Sequence, residues 1–167
     1  MTPEIGHFAL LIALALALMQ SVVPLWGAHR LDPPAMIFAN HAAVGQLVFI
    51  GLSFACLTFT FVTSDFSMAI VVANSHTLKP LVYKISGVWA NHEGSMLLWV
   101  LILALFGASV AMFGNNLPAT LRARVLAVQG MIGCGFLAFI VFSSNPFERV
   151  FPAPFDGEGL NPILQDP

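Results

Sequence analysis

Charge is what this chain has least of. Only 8% of its 167 residues are charged and 58% are hydrophobic, against about 25% charged in ordinary soluble domains, so most of its surface must face something other than water. The net charge of -2 provides no basic stripe for phosphates, which excludes nucleic acid as a partner. Cysteine is almost as scarce. Cys56 and Cys134 lie far apart inside apolar runs, which argues against a disulfide framework and a zinc site. No hydrolase triad, P-loop, dinucleotide fingerprint, Cys-x-x-Cys or His-Glu-x-x-His occurs. His92-Glu93-Gly94-Ser95 begins like the last of these, but no second histidine follows at the needed spacing.

What is present is long apolar runs. Phe8 to Trp26, Ala42 to Val62, Met96 to Phe113 and Val125 to Phe142 are free of charge and match the roughly 20 helical residues that cross a hydrocarbon core. The expected fold is all-α: a polytopic integral membrane protein with about four transmembrane helices. A cleaved signal would begin with Lys or Arg and carry a shorter apolar run. The opening Met1-Thr2-Pro3-Glu4-Ile5-Gly6-His7 has neither feature, so the first helix is expected to stay.

Proline and glycine set the boundaries. Asp32-Pro33-Pro34 breaks the chain after the first helix, and Gly114-Asn115-Asn116-Leu117-Pro118 does so after the third, because proline removes a donor and restricts its predecessor. The 63–95 connection is long and the 143–167 tail is proline-rich, so function is expected on the face carrying those two segments. Orientation is read from Lys and Arg, and the count is tied: Arg30, Arg122 and Arg124 against Lys79, Lys84 and Arg149. The pairing of Arg122 and Arg124 in a tight turn favours the short loops as cytoplasmic. Both termini and the long loop are then periplasmic.

Small residues recur every four positions, as Ala9, Ala13 and Ala17 in the first helix and Gly130, Cys134 and Ala138 in the fourth. Such stripes let helix backbones approach closely in lipid, though alanine-rich composition alone produces them too. Within the spans only Gln20, Gln46 and Gln129 are strongly polar, which argues against an ion pathway. Pro24 lies too near the helix end to mark a broken helix.

The five histidines divide by setting. His29 beside Arg30 reads as solvated, and His41 follows Asn40, which is expected to cap the second helix. His7 is placed to pair with Glu4 one turn away, and His76 lies in the long loop. His92 differs, because Asn91, Glu93, Gly94 and Ser95 surround it just before an apolar helix. A structural account exists: Asn91 or Ser95 caps the helix, Glu93 favours its positive end and Gly94 permits the turn. Trp89 and Trp99 can likewise be interfacial anchors. A functional account sees aromatic faces beside an imidazole, a setting suited to a porphyrin. Trp89, His92, Glu93 and Trp99 are therefore the candidate cofactor-binding site. No catalytic residue is legible, and a non-catalytic scaffold subunit of a membrane complex remains the alternative.

Three stretches resemble a known family. They are Glu4 to Leu10, Asn74 to Leu81 leading into Tyr83 to Trp99, and Ser144-Asn145-Pro146-Phe147 with Asp156-Gly157 and Leu160 to Pro167. Together they are similar to the amino-terminal region of the CcmF/NrfE family of cytochrome c-type biogenesis proteins. The resemblance implies a bacterial inner-membrane haem lyase subunit that receives haem from the chaperone CcmE and acts with CcmH on apocytochrome c. Its NrfE branch implies maturation of a nitrite reductase cytochrome instead. The family's tryptophan-rich segment and haem-ligating histidines fall beyond Pro167. The chain is therefore expected to be a fragment or split-gene piece, inactive as a lyase without the remaining carboxyl-terminal part.

Overall fold

The computed structural model describes residues 1–159. Its elements, in order, are α1 (Thr2–Arg30), α2 (Pro33–Val62), α3 (Ala69–Asn74), α4 (Leu81–Gly87), α5 (His92–Phe113) and α6 (Ala119–Phe142), with one 3-10 turn, Gly114–Asn116, before α6. The four long helices are apolar enough to cross a membrane. Each contains one expected span and continues beyond it: α1, with 29 residues, reaches roughly 43 Å, against about 30 Å of hydrocarbon. The chain is an all-α, multi-pass membrane protein.

Many large side chains face out, and small ones supply much of the buried helix contact, alongside Leu10, Ile50, Leu57 and Phe61. Phe8, Trp26, Phe59, Phe106 and Phe142 are exposed, whereas Ala9, Ala13, Ala17, Ala39, Ala43 and Ala108 are buried. That inversion follows from lipid as solvent: it supplies no hydrophobic drive between helices, so close backbone approach holds them together. The stripe Ala9-Ala13-Ala17 is buried in the core, which favours its packing account over composition alone. On α6 the buried side instead runs through Ala123, Ala127, Gly130, Gly133 and Leu137, while Cys134 and Ala138 are only half-buried. The face is set by rotation of α6 toward α1, which a four-residue spacing alone does not reveal.

The connection from α1 to α2 is two residues long. Leu31 is left-handed (φ 57°), Asp32 N–H returns to the Gly27 carbonyl at 2.9 Å, and Pro33 and Pro34 open α2 at once, where a missing N–H costs nothing. Asn40 and His41 are therefore two turns inside α2, and the expected cap at Asn40 does not exist. Gly27 is obligatory here, since a Cβ would sit 2.6 Å from that of Ala35.

The three span glutamines meet. Gln46 Nε2 donates to Gln20 Oε1 at 2.7 Å, Gln20 Nε2 donates to the Leu126 carbonyl at 2.7 Å and lies 3.4 Å from Gln129 Oε1, and Gln129 Nε2 donates to the Leu103 carbonyl at 2.8 Å. All four long helices are tied by these bonds. Glycines make the room: a Cβ at Gly107 would strike the Gln129 amide and one at Gly130 would press on Gln20.

The 63–91 connection and the tail form one folded cap on the face where α1 begins and α2 ends. Ala69 N–H donates to the Glu148 carbonyl and Val150 N–H to the Ser67 carbonyl, at 3.0 and 2.9 Å, an isolated antiparallel pairing centred on Met68 and Arg149. Arg149 also donates to Ser67 Oγ and to Glu4. The predicted His7–Glu4 pair is absent. Glu4 is taken by Arg149 and, at 2.9 Å, by the amino-terminal ammonium, and His7 instead meets the ring of Phe147 edge-on at 6.5 Å.

Candidate functional site

The candidate site forms where α4 hands over to α5. Val88 closes α4 and Trp89 N–H returns to the Ser86 carbonyl at 3.3 Å, leaving the Trp89 ring exposed. Asn91 then starts α5. Its Oδ1 accepts from Gly94 N–H at 2.7 Å while its Nδ2 donates to the Gly87 carbonyl at 2.8 Å, so one side chain caps the new helix and ties it to the previous one. Ser95 does not cap, since its hydroxyl donates to the His92 carbonyl at 3.0 Å. Gly94 is required by contact, because a Cβ there would lie 1.6 Å from the Val88 carbonyl oxygen.

That cap fixes His92 as the first residue of α5. Its exposed imidazole stands edge-on to Phe139 of α6, with ring centroids 6.1 Å apart and planes at 89°. Below it opens a groove of about 470 Å³ between α5 and α6, walled by Met96, Met131, Phe136 and Phe139 and floored at Gly135, where nothing lies within 4 Å of an added Cβ. A second section of about 330 Å³, lined by Trp99, Leu103 and Phe106, shares Ile132 and Phe136 with the first. The two make a single apolar track descending from His92 along the membrane-facing seam. Trp99 stands on its outer wall, 63% exposed.

Of the four predicted residues, His92 and Trp99 are thus brought to one groove. Trp89 and the half-buried Glu93 stay outside both sections, with Glu93 in the first turn of α5 where a carboxylate suits the helix dipole. The groove's α6 wall was not anticipated, because nothing in the sequence pairs residues near position 92 with those near 135. For a porphyrin the fit is one-sided. The track offers a flat apolar aromatic and thioether lining with one imidazole at its mouth, enough to contact a macrocycle and one face of its iron.

A second polar cluster lies on the cap. Asp156 Oδ1 accepts from the Thr77 N–H and hydroxyl, both at 2.9 Å, and from Gly157 N–H at 2.8 Å. Its Oδ2 lies 3.3 Å from His76 Nε2, and His76 Nδ1 accepts from Leu78 N–H at 3.2 Å. The Thr77 amide, then the other donors and His76, hold the Asp156 carboxyl below its usual value. Nearby, burial pulls Lys79 below the ordinary lysine range while its ammonium donates to the Asn74 carbonyl at 2.8 Å.

Residues 89–167 match the family model described as cytochrome C assembly protein, a stretch that begins at Trp89 and takes in α5, α6 and the tail. The chain is 59% identical over 167 residues to the cytochrome c-type biogenesis protein ccl1 of Rhodobacter capsulatus, covering 100% of this chain and 26% of that protein. It is 57% identical over 163 residues to CycK of Rhizobium meliloti, covering 98% and 24%. Among solved structures it superposes on the cytochrome c haem lyase CcmF with a TM-score of 0.81 at 25% identity, over 89% of this chain and 25% of that one. The chain therefore spans about a quarter of the length of the curated relatives it matches. The Leu160 to Pro167 part of the resemblance lies outside the described residues.

Proposed function

On the premise that the chain belongs to the CcmF family of cytochrome c-type biogenesis proteins, as its amino-terminal portion, we propose that it serves cytochrome c maturation by forming part of the haem-handling outer face of a haem lyase. The observation that carries this reading is His92 at the mouth of the aromatic and methionine-lined seam between α5 and α6. An imidazole over a flat apolar track offers an incoming haem both a contact for iron and a surface for the ring. Haem is substrate here. Trp99 lines the track, Trp89 stands exposed at the preceding turn, and Glu93 places a carboxylate beside the imidazole's helix start.

The face that carries the cap and His92 is periplasmic in this proposal, with the paired Arg122 and Arg124 in the cytoplasm, and the membrane is the bacterial inner membrane. CcmE would deliver haem there and CcmH would present apocytochrome c, with thioether formation depending on the rest of the protein. This site does not by itself hold haem tightly, because one imidazole without a second positioned ligand makes a weak site.

The test is complementation of a deletion strain with full-length protein at matched abundance, scored by haem-stained cytochrome c. Trp89→Ala and His92→Ala are expected to lower the yield more than His29→Ala and His41→Ala, whose side chains are exposed away from the groove. Unchanged yield in both of the first pair would leave the segment with only capping and anchoring to do. A reporter fusion at Gly157 that is active only in the cytoplasm would remove the site from the haem compartment. A stoichiometric Soret band from the purified 167-residue piece, lost in His92→Ala, would overturn the weak-binding part of the proposal.

A further inference from the structure

At the far end of the cap from His92, the start of α1 and the tail enclose a second cavity, of about 490 Å³. Three charged side chains line its mouth: Glu4, Glu148 and Arg149. Arg149 spends two of its N–H donors on Ser67 and Glu4, leaving three of the five that a guanidinium carries. The exposed Glu148 carboxylate has no hydrogen-bonding or ionic partner among the described residues. In the wall, His7 Nδ1 is shielded from solvent and unpartnered. The lower lining is Phe8 and Leu11, 63% and 40% exposed, on the outward side of a helix that crosses the membrane.

We propose that this cavity binds a phospholipid whose headgroup carries a primary amine. The arrangement has an order that such a molecule repeats. From the aqueous end inward it offers an unpaired carboxylate for an ammonium, a guanidinium with free donors for a phosphate, and then an apolar strip for an acyl chain. Glu4 is already paired with both Arg149 and the amino-terminal ammonium, the latter at 2.9 Å, so Glu148 is the carboxylate left without a cation and the mouth favours a headgroup that brings an ammonium of its own. A soluble zwitterion would leave Phe8 and Leu11 uncovered, so the lipid is the better source of that chemistry. The inference concerns a different corner of the molecule from the haem-handling face and does not depend on it.

The natively expressed protein in nanodiscs, given phosphatidylethanolamine or phosphatidylcholine with a photoreactive acyl chain, tests the proposal by mapping of the label. The ethanolamine lipid should label the Pro3 to Leu11 segment about fivefold more than the choline lipid, the factor worth about 1 kcal/mol that one net hydrogen bond confers, because a primary ammonium donates N–H bonds to the carboxylate and a quaternary choline cannot. That preference should vanish in Glu148→Gln, a change at an exposed, unpaired side chain that leaves the fold intact. Leu11→Trp, which fills the apolar strip, should lower labelling by both lipids. Equal labelling by the two lipids in the parent protein, a preference that survives Glu148→Gln, or labelling that ignores Leu11→Trp would overturn the proposal. So would loss of labelling with millimolar soluble phosphoethanolamine, which would assign the cavity to a free ligand.

Discussion

Two seams of the same four-helix bundle are built on opposite rules. Between α1 and its neighbours α2 and α6 the buried residues of α1 are mostly alanine, glycine, serine and glutamine, with Leu10 the one bulky aliphatic side chain among them, and α1 packs on both along most of its length. Between α5 and α6 the outer half of the contact is methionine, phenylalanine and tryptophan, and a groove remains. Small residues let backbones close, and in lipid that closeness is the stabilising term. Bulky residues keep helices apart and leave a surface for something else to occupy. Stability is thus concentrated on one side of α6 and an accessible track on the other.

Two glycines of α6, five positions apart, test this division most strongly. Gly130 faces α1, where an added Cβ meets Gln20 at 3.1 Å, and Gly135 faces the open groove. Gly130→Leu is expected to cost about 3 kcal/mol through overpacking. An added Cβ at Gly135 meets nothing within 4 Å, so Gly135→Leu should not destabilise and should gain up to about 0.8 kcal/mol from helix propensity. Both replacements gain the same helix propensity, so their difference isolates packing. Unfolding in mixed micelles followed by far-ultraviolet circular dichroism reads it. Gly135→Leu should nevertheless lower cytochrome c yield in the full-length protein, because its side chain fills the track below His92. Equal stability loss at the two glycines would erase the distinction between the seams.

The next effect separates a hydrogen-bonded core from a merely close one. Gln20→Leu removes the bond to the Leu126 carbonyl and strands Gln46 Nε2. The expected cost is about 2 kcal/mol, between the modest worth of interhelical bonds in membranes and the penalty of an orphaned buried amide. Adding Gln46→Leu removes the stranded group, so the double variant should be about 1 kcal/mol more stable than the sum of the singles predicts. Strict additivity in the same micelle assay would mean that the glutamines only fill space.

These regions were unequally legible in the sequence. The four helices could be read directly, because an uncharged 20-residue run has few other fates. The cap at Asn91 and the place of His92 at a helix start were legible too, since they depend on neighbours in the chain. The glutamine contacts were not. Gln20, Gln46 and Gln129 meet across as many as 109 positions, and whether they meet depends on how each helix is rotated, which nearly uniform apolarity does not encode. Asn40 failed as a cap because two prolines at the first helical positions started α2 earlier. His7 lost Glu4 to the amino-terminal ammonium, 2.9 Å away, and to Arg149, a residue 145 positions away that no local pattern points to. The α6 wall of the groove was hidden for the same reason.

The smallest expected effect concerns the cap, whose Met68, Val71, Val88 and Phe147 are buried in the core and whose tail is tied down by polar bonds as well. Asp156 gathers three donors on one oxygen, and its carboxyl is held below the usual value chiefly by the Thr77 amide. A depressed folded-state value means that the ionised carboxylate stabilises the cap above the unfolded value of about 3.9, and that this contribution is lost as the pH falls through the folded value. Hydrogen exchange should therefore show protection at the Thr77 and Gly157 amides falling as the pH drops below about 4, while the amides of α1 and α6, bonded within their helices, keep theirs. Asp156→Asn should weaken that protection at neutral pH and abolish its dependence on acid. If protection at Thr77 were instead independent of pH in the parent protein, the tail would be held by its backbone bonds from Glu158 to the Val72 carbonyl and from Val150 to the Ser67 carbonyl. The Asp156 carboxylate would then contribute nothing to the closure.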